Sequence, residues 1–266
     1  MNSKNYLFYL PLLCGFISSL CMGQVNFLGK PGYIATPSAE WNEDRPLGLS
    51  FSYLPDEYSI FNTAGDRNIV HFYNARGTFT SFMEVNFTIA HRPLMSDKIG
   101  VGDRQIDFRF RLLREKKYLP AIVMGWTPPG SVSPVMAHDY LVATKNFYTG
   151  FGRLNISGGY GSPYIIKREN GGDALDLEVL KKIDFQNIKY LTGFFGGISY
   201  EPFSYGGVML EYDTQTINAG FYLKPLPWII LQGYTYEAKE IAFTIAASFP
   251  LNFAPRTLRR YEKELD

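Results

Sequence analysis

The residues equipped for chemistry are few and scattered. The chain has three histidines, His71, His91 and His138, and its two cysteines both fall within the first 21 residues. Hydrolysis or group transfer needs an acid–base pair or an activated nucleophile. His138-Asp139 is the nearest approach to such a pair, but successive residues on a strand point to opposite faces. No G-x-S-x-G or H-E-x-x-H pattern occurs. Asn170-Gly171-Gly172-Asp173 lacks the alternating oxygen ligands and closing glutamate of a calcium loop. No catalytic residue, metal or cofactor is therefore expected, and the chain does not read as an enzyme. Its charged residues form another pattern. Glu84, Asp107, Arg109, Arg111, Arg153, Glu211 and Lys224 each fall opposite the apolar face of a candidate strand. Such a set is either a polar surface that meets a ligand or, more plainly, an ion-pair network filling a narrow barrel. Tyr200, Tyr212, Tyr234 and Tyr236 fit girdle positions on such a barrel better than platforms that stack on a ligand.

The elements that would hold these charges are strands. In Ile241–Phe253 every odd position is apolar, and all even ones but Pro250 are small or polar. A period of two means a strand whose faces meet different media. A tilted strand of about 9–11 residues crosses a bilayer. Twelve such strands can be marked: Pro46–Leu54, Asn68–Gly77, Ser81–His91, Arg104–Arg114, Tyr118–Trp126, His138–Asn146, Gly152–Tyr160, Thr192–Glu201, Gly207–Asp213, Thr216–Lys224, Trp228–Glu237 and Ile241–Phe253. Gly32–Ala39 is an extra strand or a lead-in segment. The longest connection holds Asp173 to Lys182, read as a short surface helix capped by Asp173.

The connections alternate in length. All the long ones (Pro55–Arg67, Arg92–Asp103, Thr127–Ala137, Gly161–Leu191) fall on one side of an up-and-down sheet. Outer-membrane barrels have short periplasmic turns and longer outside loops. The fold class is thus all-β: an up-and-down antiparallel transmembrane β-barrel of about twelve strands, both termini periplasmic. A soluble barrel would share the alternation with its apolar face inward. Asp107, Arg109 and Arg111, crowded on one strand face, favour a polar lumen instead. Phe249 and Phe253, ending the last strand, read as a signal to the barrel-assembly machinery.

Residues 1–23 read as a signal peptide: Lys4 is a short basic region and Tyr6–Leu20 is apolar. Cleavage is expected before Gln24. The rival processing, acylation at Cys21, is opposed by Leu20 where a small residue is usual. Residues 24–253 then form the barrel and 254–266 a polar periplasmic tail. Removing Lys4 leaves 25 basic against 25 acidic residues. That balance gives no support to nucleic-acid binding. Loss of both cysteines excludes disulfides and thiol chemistry.

Several stretches resemble the YjbH family of outer-membrane barrels associated with exopolysaccharide and capsule production. They are D-R-Q-I-D-F-R-F-R-L-L (Asp103–Leu113), Y-L-P-A-I-V-M-G (Tyr118–Gly125), D-Y-L-V-A-T-K (Asp139–Lys145), G-F-F-G-G-I-S-Y-E-P (Gly193–Pro202), L-E-Y-D (Leu210–Asp213) and I-N-A-G-F-Y-L-K-P-L-P-W (Ile217–Trp228). G-Y-I-A-T-P-S-A (Gly32–Ala39) is similar to the family's opening motif. Trp126–Pro134 departs from the family's Gly-rich segment, and longer members carry more sequence. The resemblance implies a non-enzymatic accessory part in exopolysaccharide or capsule biosynthesis or export. The implied partners are outer-membrane lipid, the barrel-assembly machinery, a polysaccharide and proteins of an export complex. The alternatives are a small diffusion porin and an outer-membrane barrel enzyme.

Overall fold

The computed structural model describes residues 23–55, 69–93, 103–129, 131, 136–168, 176–186, 190–236 and 240–251. Twelve antiparallel strands close into one barrel. They are β1 (Leu47–Leu54), β2 (Val70–Thr78), β3 (Met83–His91), β4 (Asp103–Leu113), β5 (Ala121–Trp126), β6 (Tyr140–Thr149), β7 (Gly152–Gly161), β10 (Gly193–Phe203), β11 (Gly206–Tyr212), β12 (Ile217–Leu226), β13 (Ile229–Tyr236) and β14 (Glu240–Phe249). Each pairs with its neighbour in sequence. β7 pairs with β10, and the seam is β1 on β14, with Leu47 opposite Phe249 and Tyr53 opposite Phe243.

The alternation fixes which side chains point inward. On β3 the even residues Glu84, Asn86, Thr88 and Ala90 are buried, while Phe87 faces out. On β14 Ala242, Thr244, Ala246 and Ser248 are buried and Ile241, Phe243, Ile245 and Phe249 are outside. The outer surface is apolar around the barrel, through Leu49, Ile106, Leu141, Ile198, Leu210, Phe221 and Leu231 among others. This is a barrel with its hydrophobic side outward and its polar side inward, the reverse of a soluble one.

Closure leaves the barrel itself without a free edge. Register shifts interrupt three pairings at the short-turn end. Those at Tyr200/Phe203 and Leu223/Leu226 contain Pro202 and Pro225, residues with no N–H to give the ladder.

Two expectations are corrected. The last strand stops at Phe249, not Phe253, because Pro250 ends the ladder; Phe253 lies outside the described residues. The longest loop holds a hairpin, β8 (Tyr164–Arg168) on β9 (Leu177–Lys181), where a helix was expected. Ile165 opposes Leu180, Ile166 opposes Val179, and Lys167 bridges Glu178 at 3.2 Å. Cross-strand partners decide between two periods that L-E-V-L-K satisfies equally. Helix α1 (Lys182–Gln186) follows directly. Asp173, the expected cap, and the stretch Asn170–Asp173 lie outside the described residues.

Candidate functional site

The lumen is occupied by the chain itself. Residues from Gln24 to Ala39 are buried without interruption inside the barrel. The segment Gly32–Ala39 is therefore neither a barrel strand nor a simple lead-in; it is the second half of a plug. The plug first folds on itself. Asn26 Oδ1 accepts the N–H groups of Leu28 and Lys30, both at 3.1 Å, and its Nδ2 donates to Ala35 O at 3.2 Å. This side-chain-to-backbone pattern makes a turn without regular structure. Gly29 lies at its tip with φ of 75°, and a Cβ there would stand 2.4 Å from Asn74 Cβ. Short bridges, Val25 to Pro31 in the first half and Gly32 to Pro37 in the second, fold each half back on itself.

Backbone buried in a barrel needs partners for its N–H and C=O groups. The inward side chains supply them. Glu211 accepts three successive N–H groups, Ile34 at 3.0 Å, Ala35 at 2.8 Å and Thr36 at 3.0 Å, plus the Thr36 hydroxyl at 2.7 Å. Arg109 donates to Ser38 O at 2.8 Å and Glu40 O at 3.2 Å while paired with Glu84. Gln232 accepts from Val25 N at 3.1 Å and donates to Tyr33 O at 3.2 Å. Asn74 and Asn86 donate to Phe27 O and Leu28 O. Lys30 sits 2.5 Å from Asp107 and 2.7 Å from His138 Nδ1. The Tyr33 hydroxyl reaches Asn155 and, at 2.8 Å, Ser157. Gly197 leaves room for that ring: a Cβ would lie 2.4 Å from Tyr33 Cδ2.

The seven charges marked in the sequence thus divide by partner. Asp107, Arg109 and Glu211 hold the plug directly. Glu84 neutralises Arg109 and lies 3.6 Å from Arg76. Arg153 bridges Glu40 of the plug's end at 3.2 Å and Glu201 at 3.1 Å, and Lys224 meets Glu201 at 2.5 Å. Arg111 lies at the short-turn mouth, paired with Glu43 and 5.0 Å over the Trp41 ring. Tyr200 and Tyr212 face outward. Tyr234 does not share their girdle position: it is buried in the lumen, its hydroxyl 3.0 Å from Thr244. Phe249 is on the outer face near Trp228, ring centroids 6.0 Å apart.

Sequence reasoning missed the plug's own anchors, Asn26, Lys30 and Tyr33, and the side chains of Asn155, Ser157 and Tyr190 that bond to the plug. The G-Y-I-A-T-P motif was the available signal. His138 does not head a triad. Its two ring nitrogens face Lys30 Nζ and the Tyr190 hydroxyl, and Asp139 accepts the Thr127 N–H at 2.8 Å. Burial, with Lys30 and Lys182 nearby, holds the imidazole well below its ordinary value, so it is neutral. Burial likewise lowers Lys182 to about 8, only partly offset by Asp139. His71 lies on the outer face, edge-on to Phe51 and tilted against His91.

A second feature opens at the short-turn mouth. Where the plug leaves the lumen, a cavity of about 260 Å³ lies between Glu40, Trp41 and Asn42 and the ends of β4, β6 and β7.

These features define an up-and-down barrel with an apolar exterior and an ion-paired lumen occupied by residues Gln24 to Ala39. A family model described as exopolysaccharide biosynthesis protein YbjH matches residues 24–260, and the chain belongs to this YjbH family. No curated protein matches the chain.

Proposed function

We propose that the protein is an integral outer-membrane barrel with a non-enzymatic, accessory role in exopolysaccharide or capsule biosynthesis or export. The family supplies the pathway class. The observation that carries the accessory reading is the plug: residues Gln24 to Ala39 occupy the lumen and bond to the wall on several sides, obstructing the bore that a hydrated polysaccharide would need. A diffusion porin would need that segment to leave.

The membrane reading is supported by the apolar outer face and by the one-sided loops. Trp126 on the long-loop side and Trp228 in a short turn sit where interfacial aromatics do. In this reading the short-turn end is periplasmic, and a leader ending before Gln24 would release the chain with the plug at its start. The partners proposed are outer-membrane lipid, the barrel-assembly machinery and export-complex proteins; nucleic acid is not among them.

The test is a deletion strain assayed for surface polysaccharide, with the tagged protein followed through membrane fractionation. The expected result is reduced polysaccharide and a protein that resists alkaline extraction and migrates faster on gels when unboiled. Unchanged polysaccharide would sink the function, and a soluble periplasmic protein would sink the location.

A further inference from the structure

The cavity at the short-turn mouth is lined by Glu40, Trp41, Asn42, Arg111, Arg114 and Arg153 among others. At about 260 Å³ it is smaller than the ~300–1,000 Å³ pockets that take drug-sized ligands. It therefore has room for one sugar-sized ring. Its lining mixes one aromatic side chain with planar polar groups, the set that binds a ring with an apolar face and hydroxyl edges.

The charge balance selects among rings. Glu115 is fully engaged: Oε1 accepts Lys145 Nζ at 2.6 Å and Asn146 N at 2.9 Å, and Oε2 accepts Asn146 Nδ2 at 2.7 Å. Burial would raise its carboxyl, but these bonds outweigh that and hold it below the usual range. Arg153 is shared by Glu40 and Glu201, and Lys224 completes that group. Arg111 takes Glu43 Oε1 and Ser81 O. Among the described residues Arg114 reaches only the same Glu43 oxygen, at 3.5 Å, with its side chain 60% exposed. The cavity lining itself holds three cations (Arg111, Arg114, Arg153) and two carboxylates (Glu40, Glu115). The surplus positive charge rests on Arg114, and Lys116 and Lys117 extend the turn beside it. On the opposite wall, the Glu40 bonds to Arg153 and Asn155 both fall on Oε1, while Oε2 is turned toward Gly23.

We propose that this cavity is a subsite for a singly charged sugar ring, a carboxylated residue of an acidic glycan, entering from the short-turn side. Arg114 takes the carboxylate, because a guanidinium fork matches a carboxylate with two parallel bonds. Glu40 Oε2 and Asn42 take ring hydroxyls, and Trp41, backed by Arg109 and Arg111, walls the apolar side. This rests on the polysaccharide reading above and names the class of glycan.

The test uses the full chain in detergent micelles at low salt. Binding of oligogalacturonate, maltohexaose and inorganic phosphate is measured by calorimetry and by tryptophan fluorescence. Oligogalacturonate is expected to bind at least 10-fold more tightly than either of the others. Arg114→Gln should weaken it at least 10-fold, and Trp41→Phe should remove the fluorescence change. Both variants should keep the unboiled gel shift of the parent, since Arg114 is exposed and Phe retains the ring. Equal binding of the neutral oligosaccharide, phosphate binding as tightly as the glycan, or an unaffected Arg114→Gln would each overturn the proposal. A deletion strain that loses its polysaccharide while the purified protein ignores oligogalacturonate would overturn the subsite and leave the accessory function standing.

Discussion

At the scale of single residues, Glu211 ties the plug to the barrel wall. One carboxylate satisfies three consecutive backbone donors, the Thr36 hydroxyl and Asn218 Nδ2 at 3.0 Å. No water-filled bulk surrounds it to take over those bonds. A buried donor left without its partner costs roughly 1–3 kcal/mol, so Glu211→Ala should destabilise the plugged barrel by at least about 3 kcal/mol. Glu211→Gln, which keeps an acceptor oxygen, should cost less. Thermal unfolding followed by the gel-mobility shift will rank the two, and an alanine variant as stable as the parent would mean that the plug is not held there. Glu211 could be placed on an inward face from its neighbours Leu210 and Tyr212. Its partners could not, because nothing local to E-Y-D announces a backbone 175 residues away.

At the scale of elements, the strands were legible because each has to satisfy two media at once. Ile106, Phe108 and Phe110 alternate with Asp107, Arg109 and Arg111, and the structure sends the two sets to opposite sides, except that Arg111 reaches the mouth. The plug was not legible. Gln24 to Ala39 packs on all sides, so it has no polar face to leave a period in the sequence, and its conformation comes from Asn26, Gly29 and the prolines. The outer hairpin escaped for the opposite reason, since Leu177, Val179 and Leu180 suit a helix as well as a strand. The end of β14 carries a prediction of its own. Phe249 lies outward at the seam, opposite Leu47 and near Trp228. Phe249→Asp would put a charge on the apolar exterior at the strand end, a cost of only about 1 kcal/mol or less so near the interface, but it would also remove the aromatic read as the assembly signal. Membrane-inserted protein in fractionated cells should fall sharply, whereas deletion of residues 254–266 should leave it unchanged. The reverse result would move the assembly signal into the tail.

At the scale of the whole molecule, bore and strand count have to be weighed together. Eight strands leave room for side chains or one small ligand, and 16–18 leave an aqueous channel. Twelve strands would leave an intermediate bore, and here it is filled by backbone. Removing residues 24–41 should therefore convert a non-conducting barrel into one with steady conductance in planar bilayers. The parent should show none under the same conditions. Large steady conductance from the parent would favour the porin reading. If the deletion fails to insert, Lys30→Ala combined with Glu211→Ala loosens the same segment while keeping its length.

The plug also dictates an order in time. Val25 waits for Gln232, 207 residues later, and Ile34 waits for Glu211, 177 residues later. A segment threaded into a finished barrel would have to shed its hydration before meeting its bonding partners. A sheet that curls around this segment already lying in place, with β14 meeting β1 last, avoids that cost. The segment then works as a mandrel: it lies within the circumference that twelve strands set, and once the seam has closed it cannot be withdrawn without giving up its bonds to the wall.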